Sequence, residues 1–216
     1  MHIPKSNQET NISTLHSLMK ENPFAAWTTV SEGKITVNHI PLVLDEKQGE
    51  FGTLKGHIAR ANPIWKGFSK ELESVVAFQG DHAYITPSWY QAKKDHGKVV
   101  PTWNYAVVHA YGNPNIIEDH KWLLAHVNEL SNIHEANQKQ PWKVSDAPDE
   151  YIDKLVKAIV GIEIPINRLE GKMKLGQNRS KADQLGMIEG LGNEDNSQAK
   201  GLSNKLSEHI HKTESR

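Results

Sequence analysis

Along the first half of the chain, apolar and polar residues alternate over short runs that end at glycine, proline or Asn-Pro. Period-two alternation bounded by turn residues predicts half-buried strands. Strands are expected at 24–30 (FAAWTTV), 34–44 (KITVNHIPLVL) and 50–58 (EFGTLKGHI), with turns at 31–34 (SEGK) and 45–50. The run 71–90 reads as two strands joined at Gln-Gly-Asp, and 99–112 as another strand ending in Gly-Asn-Pro. A succession of such hairpins suits an antiparallel barrel.

Helical spacing appears elsewhere. Ile12, Leu15, Leu18 and Met19 predict a helix over 10–21, which Asn22-Pro23 stops. Trp122, Leu123, His126, Leu130 and Ile133 fall near one face of a helix over 117–138, and a short acidic helix is expected at 147–157. Ile162, Ile164 and Ile166 return to strand alternation, with Pro165 marking an edge or bulge. Ala182, Leu185 and Ile188 predict a helix over 178–191. From Gly192 the chain is polar and reads as a loose tail with a weak helix around 200–210. The expectation is therefore one mainly β domain over 1–191 with peripheral helices (α+β), its helical additions at 117–157 and 178–191. A flexible tail over 192–216 follows.

Composition narrows the class. The 216 residues are 37% hydrophobic and 24% charged, as in globular proteins. No apolar run approaches the roughly 18 residues of a membrane span. The start, MHIPKSNQET, lacks the apolar core of a signal peptide, so a cytoplasmic location is expected. The absence of cysteine excludes disulfides, thiolate metal sites and a cysteine nucleophile. A net charge of −1 gives no global basic footprint for nucleic acid, so DNA contact would need a local patch or a partner.

Three stretches offer chemistry. In GHIARANP (56–63) the strand is expected to end at Gly56 and a helical turn to run on to Pro63. Backbone N–H groups at such a turn, His57 and Arg60 three residues apart, and Lys55 would make a phosphate clamp. The same residues also suit a capped connector in which Arg60 pairs with a surface carboxylate. Ser88, Trp89 and Tyr90, then Thr102, Trp103 and Asn104, form the second set. Their planar rings can face a heterocycle while the small polar groups bond its edge, or the tryptophans can be core or subunit-contact residues. The third stretch, 168–181, holds Arg168, Lys172, Lys174, Arg179 and Lys181, and is either a solvated face or a meeting point for phosphates. The twelve histidines follow no HExxH-type spacing, so no metal site is expected, and no catalytic residue is assigned. P-loop, GxGxxG and GxSxG patterns are absent as well.

GHIARANPIW, VAFQGDHAYITPSWY, VPTWNYAVVHAYG and KLVKAIVGIEIPINRLEGKMKLGQNRSKAD occur in the order seen in the PaiB family, which this chain resembles from its start to about Leu191. The resemblance implies a split β-barrel related to pyridoxamine-phosphate oxidases and flavin reductases. It further implies a homodimer with FMN in the subunit interface and a role as a negative transcriptional regulator. By that analogy Lys55, His57, Arg60 and Asn62 would serve the FMN phosphate. Ser88, Trp89, Tyr90, Thr102, Trp103 and Asn104 would approach the cofactor or the partner subunit. Promoter DNA would meet the segment 168–181. The alternatives are a flavin-dependent oxidoreductase of the pyridoxamine-phosphate oxidase or flavin reductase type, and a haem-binding split barrel.

Overall fold

Residues 1–31, 33–68 and 72–214 are described by the computed structural model, with side chains as far as His211. Glu32 of the expected turn at 31–34, and Glu71 at the head of the expected strand at 71–90, lie outside the described residues. In chain order the elements begin with β1 (Gln8–Glu9), α1 (Ile12–Glu21), β2 (Phe24–Ser31), β3 (Lys34–Pro41), β4 (Val43–Asp45) and β5 (Thr53–Ala59). Next come α2 (Ile64–Gly67), β6 (Ser74–Ile85), α3 (Gln91–Asp95), β7 (Thr102–Gly112), β8 (Asn115–Ile117) and α4 (His120–Glu135). The last elements are α5 (Asp149–Lys157), β9 (Ile159–Pro165), β10 (Arg168–Lys174), α6 (Lys181–Asn193) and α7 (Ser197–Glu214).

The chain forms two compact units. The first unit takes Met1–Asn11, Gln79–Val108 and the chain from Glu170 onward; the second takes Ile12–Phe78 and His109–Leu169.

The second unit holds a four-stranded antiparallel sheet in the order β4-β5-β9-β8. Its register sets His57 opposite Gly161 and Gly56 opposite Ile162. Leu54, Ile58, Val160, Ile162 and Ile164 are buried; they are alternate positions of β5 and β9 that share one face of the sheet. The same unit holds the β2–β3 hairpin with the start of β6 paired to β2. One face of that hairpin, carrying Ala25, Trp27 and Ile40, is buried. α1 is amphipathic as its spacing predicts, burying Leu15, Leu18 and Met19.

In the first unit the strand order is β1-β10-β7-β6, with β1 antiparallel to β10. Ala83, Ile85 and Tyr90 pack there with Leu175, Met187, Leu191, Leu202 and Leu206 in one apolar cluster. Among the described residues no helix is long and apolar enough to cross a membrane.

Four expectations change. Residues 192–216 are not a loose tail as far as they are described: α7 buries Ala199, Leu202 and Leu206 in that cluster. A narrow apolar stripe at spacings of three and four suffices to dock a helix, and it vanishes in averaged composition. The run expected as two strands broken at Gln79-Gly80-Asp81 is one strand, β6. The run 34–44 is broken at Leu42 into β3 and β4. Gly56 does not end its strand; β5 continues to Ala59. A Cβ at Gly56 would come 2.7 Å from Leu42 Cδ2, so glycine permits close packing inside the sheet here and does not open a turn.

Candidate functional site

Because β5 runs on, His57 sits in a strand and no helix begins behind Gly56. The backbone anion site expected there is absent, and His57 and Arg60 do not share a helical face. The residues of the motif are instead distributed along one strand and its exit turn.

Lys55 donates to Asp45 Oδ2 at 2.7 Å across β4–β5, and that bond holds the Asp45 carboxyl below its usual range. Arg60 leaves the end of β5 and is gripped at three points. Its Nε and Nη2 donate to the carbonyls of Lys157 and Ile159 at 3.1 and 3.2 Å, and Nη1 to Glu118 Oε2 at 2.6 Å. The guanidinium also lies 5.6 Å from the Trp65 ring, while Trp65 Nε1 donates to the Arg60 carbonyl. Asn62 Nδ2 donates to Asn38 Oδ1 at 2.8 Å, and Asn62 Oδ1 accepts from the N–H of Ile64. Asn38 Nδ2 is buried with no hydrogen-bond partner among the described residues.

His57 meets a residue that sequence spacing had placed only on a helix face. His126 Nε2 lies 3.2 Å from His57 Nδ1, with the ring centroids 5.3 Å apart. Trp122, one turn earlier on α4, stacks on His126 at 5.3 Å and 20°. Gly161 makes the room, since a Cβ there would overlap the Trp122 ring. Burial drives the His57 pKa down; His126 is pushed down to about 4 by burial first, then by His57 and Lys55. Both rings are therefore neutral at neutral pH. An i,i+4 Trp-His pair was the only sequence signal for this arrangement.

The second predicted set lies in the first unit. Ser88 Oγ accepts from Lys93 Nζ at 3.1 Å. Trp89 lies against Gly186 and Gly190 of α6, where any Cβ would overlap it. Tyr90 is buried under the Arg179 guanidinium, 4.5 Å from the ring, and burial raises its pKa. Thr102 Oγ1 accepts from Lys174 Nζ at 2.5 Å. Asn104 is buried, its amide 3.8 Å from Met187 Sδ. Tyr90 and Asn104 are thus packing residues in this unit, while Trp89, half-buried, packs on α6 and also lines a cleft.

Trp103 differs, being 54% exposed. His82 and Tyr84 each lie 6.2 Å from its ring. All three line a cleft of about 460 Å³ that reaches Leu191, Glu194 and Asn196.

The basic segment is tied into the chain. Arg168 lies 3.6 Å over the Tyr111 ring and 3.4 Å from Glu73, Lys172 donates to the His2 carbonyl, Lys174 holds Thr102, and Arg179 covers Tyr90. Among the described residues no group of three or more His, Cys, Asp or Glu is placed to hold a metal ion.

Residues 1–168 match the family model described as "Putative FMN-binding domain". An uncharacterised protein of Emericella nidulans is 36% identical over 96% of this chain and 97% of its own. The Protease synthase and sporulation protein PAI 2 of Bacillus subtilis is 32% identical over 98% of this chain and 99% of its own. Among solved structures, the FAD and Heme binding protein from Mycobacterium smegmatis superposes with a TM-score of 0.58 at 13% identity, covering 82% of this chain and 78% of that one. That likeness is one of fold, the split β-barrel with peripheral helices.

Proposed function

The chain belongs to the PaiB-type family of FMN-binding domains, and from that premise we propose that it is a homodimeric, FMN-binding negative regulator of transcription. The observation that carries the reading is the match over nearly its whole length to a relative named for protease synthesis and sporulation.

The residues present fit FMN. Two nitrogens of the Arg60 guanidinium are fixed by main-chain carbonyls, and only Nη1 faces a carboxylate, that of the exposed Glu118. A phosphate can replace that carboxylate with the same charge-assisted chemistry. The amide donor of Asn38, whose Oδ1 accepts from Asn62, is unanswered among the described residues and is proposed to serve a phosphate or ribityl oxygen. Arg60, Asn62 and His57 are the residues proposed to hold the cofactor. Lys55 supports them from its pair with Asp45. When bound, FMN supplies reversible electron transfer at its ring, while the protein binds and orients it.

Dimerisation is supported by the outer face of the β2–β3 hairpin. The register puts Phe24, Ala26, Thr28 and Val30 beside Ile35, Val37 and His39, with no Asp, Glu, Lys or Arg among them. Phe24, Ile35 and Val37 are 67%, 74% and 50% exposed. A contiguous apolar face of this kind on a soluble domain marks an interface. DNA is proposed to meet the segment 168–181.

A second reading, a flavin-dependent oxidoreductase, is favoured by the open cleft beside Trp103, whose 460 Å³ can admit a second planar molecule. Two measurements separate the readings. The purified protein takes up FMN and, loaded, retards DNA from upstream of its own gene in a gel-shift assay. Failure to take up FMN overturns the cofactor; FMN uptake without retardation, but with steady NADH or NADPH oxidation, gives the second reading.

A further inference from the structure

We propose that His126 sets the tautomer of His57, holding it as an Nε2–H donor for the bound flavin. The inference rests on the FMN reading above and adds to it a positioning residue on another element.

One hydrogen lies between His126 Nε2 and His57 Nδ1, because both rings are neutral and only 3.2 Å separates the two nitrogens. Two arrangements are available. If His57 Nδ1 donates, His126 Nε2 accepts and His126 must carry its one ring hydrogen on Nδ1, which is buried with no partner among the described residues. That leaves a sealed N–H unanswered, a costly defect in a protein interior. If His126 Nε2 donates, only a lone pair is left bare at His126 Nδ1. The second arrangement is the better one, and it obliges His57 to carry its hydrogen on Nε2. His57 Nε2 has no hydrogen-bond partner among the described residues, so that donor is available to a ligand.

The surroundings keep the geometry. Trp122 stacks on His126, and Gly161, the register partner of His57, admits the Trp122 ring. His126 is 3% exposed and cannot exchange its contact for water. A histidine so fixed gives a neutral donor of defined direction, which suits a flavin oxygen or ring nitrogen acceptor.

The test reads the tautomer directly. Long-range nitrogen–proton NMR spectra of the full-length, flavin-free protein are expected to show His57 with a bare Nδ1 and a protonated Nε2. In His126→Phe, which keeps a ring against Trp122 but donates nothing, His57 is expected to populate both tautomers and FMN affinity to fall five- to tenfold. His126→Gln, whose amide can still donate, should retain the wild-type tautomer and most of the affinity. A protonated Nδ1 in the wild type overturns the proposal even if both variants fail to fold. So does an unaltered tautomer in a folded His126→Phe. A shifted tautomer with unchanged FMN affinity overturns the link to the flavin. Absence of FMN binding by the wild type overturns the cofactor reading instead, and leaves the tautomer measurement standing by itself.

Discussion

Trp89 lies flat on the stretch of α6 where Gly190 has no side chain, and its main-chain carbonyl abuts Gly186 one turn earlier. Two glycines four apart in a helix are an unfavourable choice by propensity, at about 1 kcal/mol each. Here they form the slot into which an indole and its backbone fit.

Gly190→Ala is therefore expected to lower stability by about 1–3 kcal/mol despite its better helix propensity, because a rigid ring must move. Gly186→Ala meets main chain and should cost at least as much. Urea unfolding measures both. If Trp89 were a cofactor wall and nothing more, Gly190→Ala would change FMN affinity and leave the unfolding midpoint alone.

The buried imidazoles predict an acid-sensitive fold. The folded pKa of His126 is about 4 against 6.5 for an unperturbed ring, so the unfolded chain takes up the proton first as pH falls. The stability tied to this group is present above about pH 6.5 and drains away down to about pH 4, in total on the order of 3 kcal/mol. Unfolding at a series of pH values should show stability rising with pH through this window. In His126→Phe that part of the slope should vanish.

Arg60→Ala should weaken FMN binding more than tenfold, in line with about 1.5–3 kcal/mol for a charge-assisted hydrogen bond. It should also loosen the exit of β5, because the side chain bridges to Lys157 and Ile159. Glu118→Gln separates the two effects. It frees Nη1 of its carboxylate and is expected to tighten FMN several-fold, with stability changed by less than about 1 kcal/mol for an exposed pair. Flavin fluorescence titration gives both affinities.

Ile35→Glu combined with Val37→Glu puts two charges on the outer face of β3. Sedimentation is expected to show a dimer for the wild type and a monomer for the double variant, with unchanged far-ultraviolet circular dichroism. A wild-type monomer at assay concentration would remove the hairpin face from the proposed interface.

Much of the fold is legible from local pattern. The strands at 24–30 and 34–41 and the helices at 12–21, 120–135 and 149–157 lie close to where period-two and helical spacing put them, since each has one buried and one open face. Gly56 and the tail depart from the sequence expectation for a common reason. Glycine signals a break from sequence alone, yet Gly56 packs under Leu42; polar composition signals disorder, yet three apolar residues of α7 are enough to dock it. The candidate site is half legible. The motif pointed to His57, Arg60 and Asn62, but their partners Glu118, Lys157, His126 and Asn38 come from segments far away in sequence.

By itself the sequence determined the alternating strands, the order of the helices and the stretches rich in polar and aromatic groups, because side-chain periodicity and turn chemistry act over a few residues. Tertiary structure alone decided what each group does. It buried Tyr90, laid Trp89 between α6 and a cleft, left Trp103 open, engaged Arg60 with two carbonyls and a carboxylate, and set His126 against His57. Hydrogen bonds and ring contacts depend on which strands pair and in what register, and those pairings join residues that no local pattern connects.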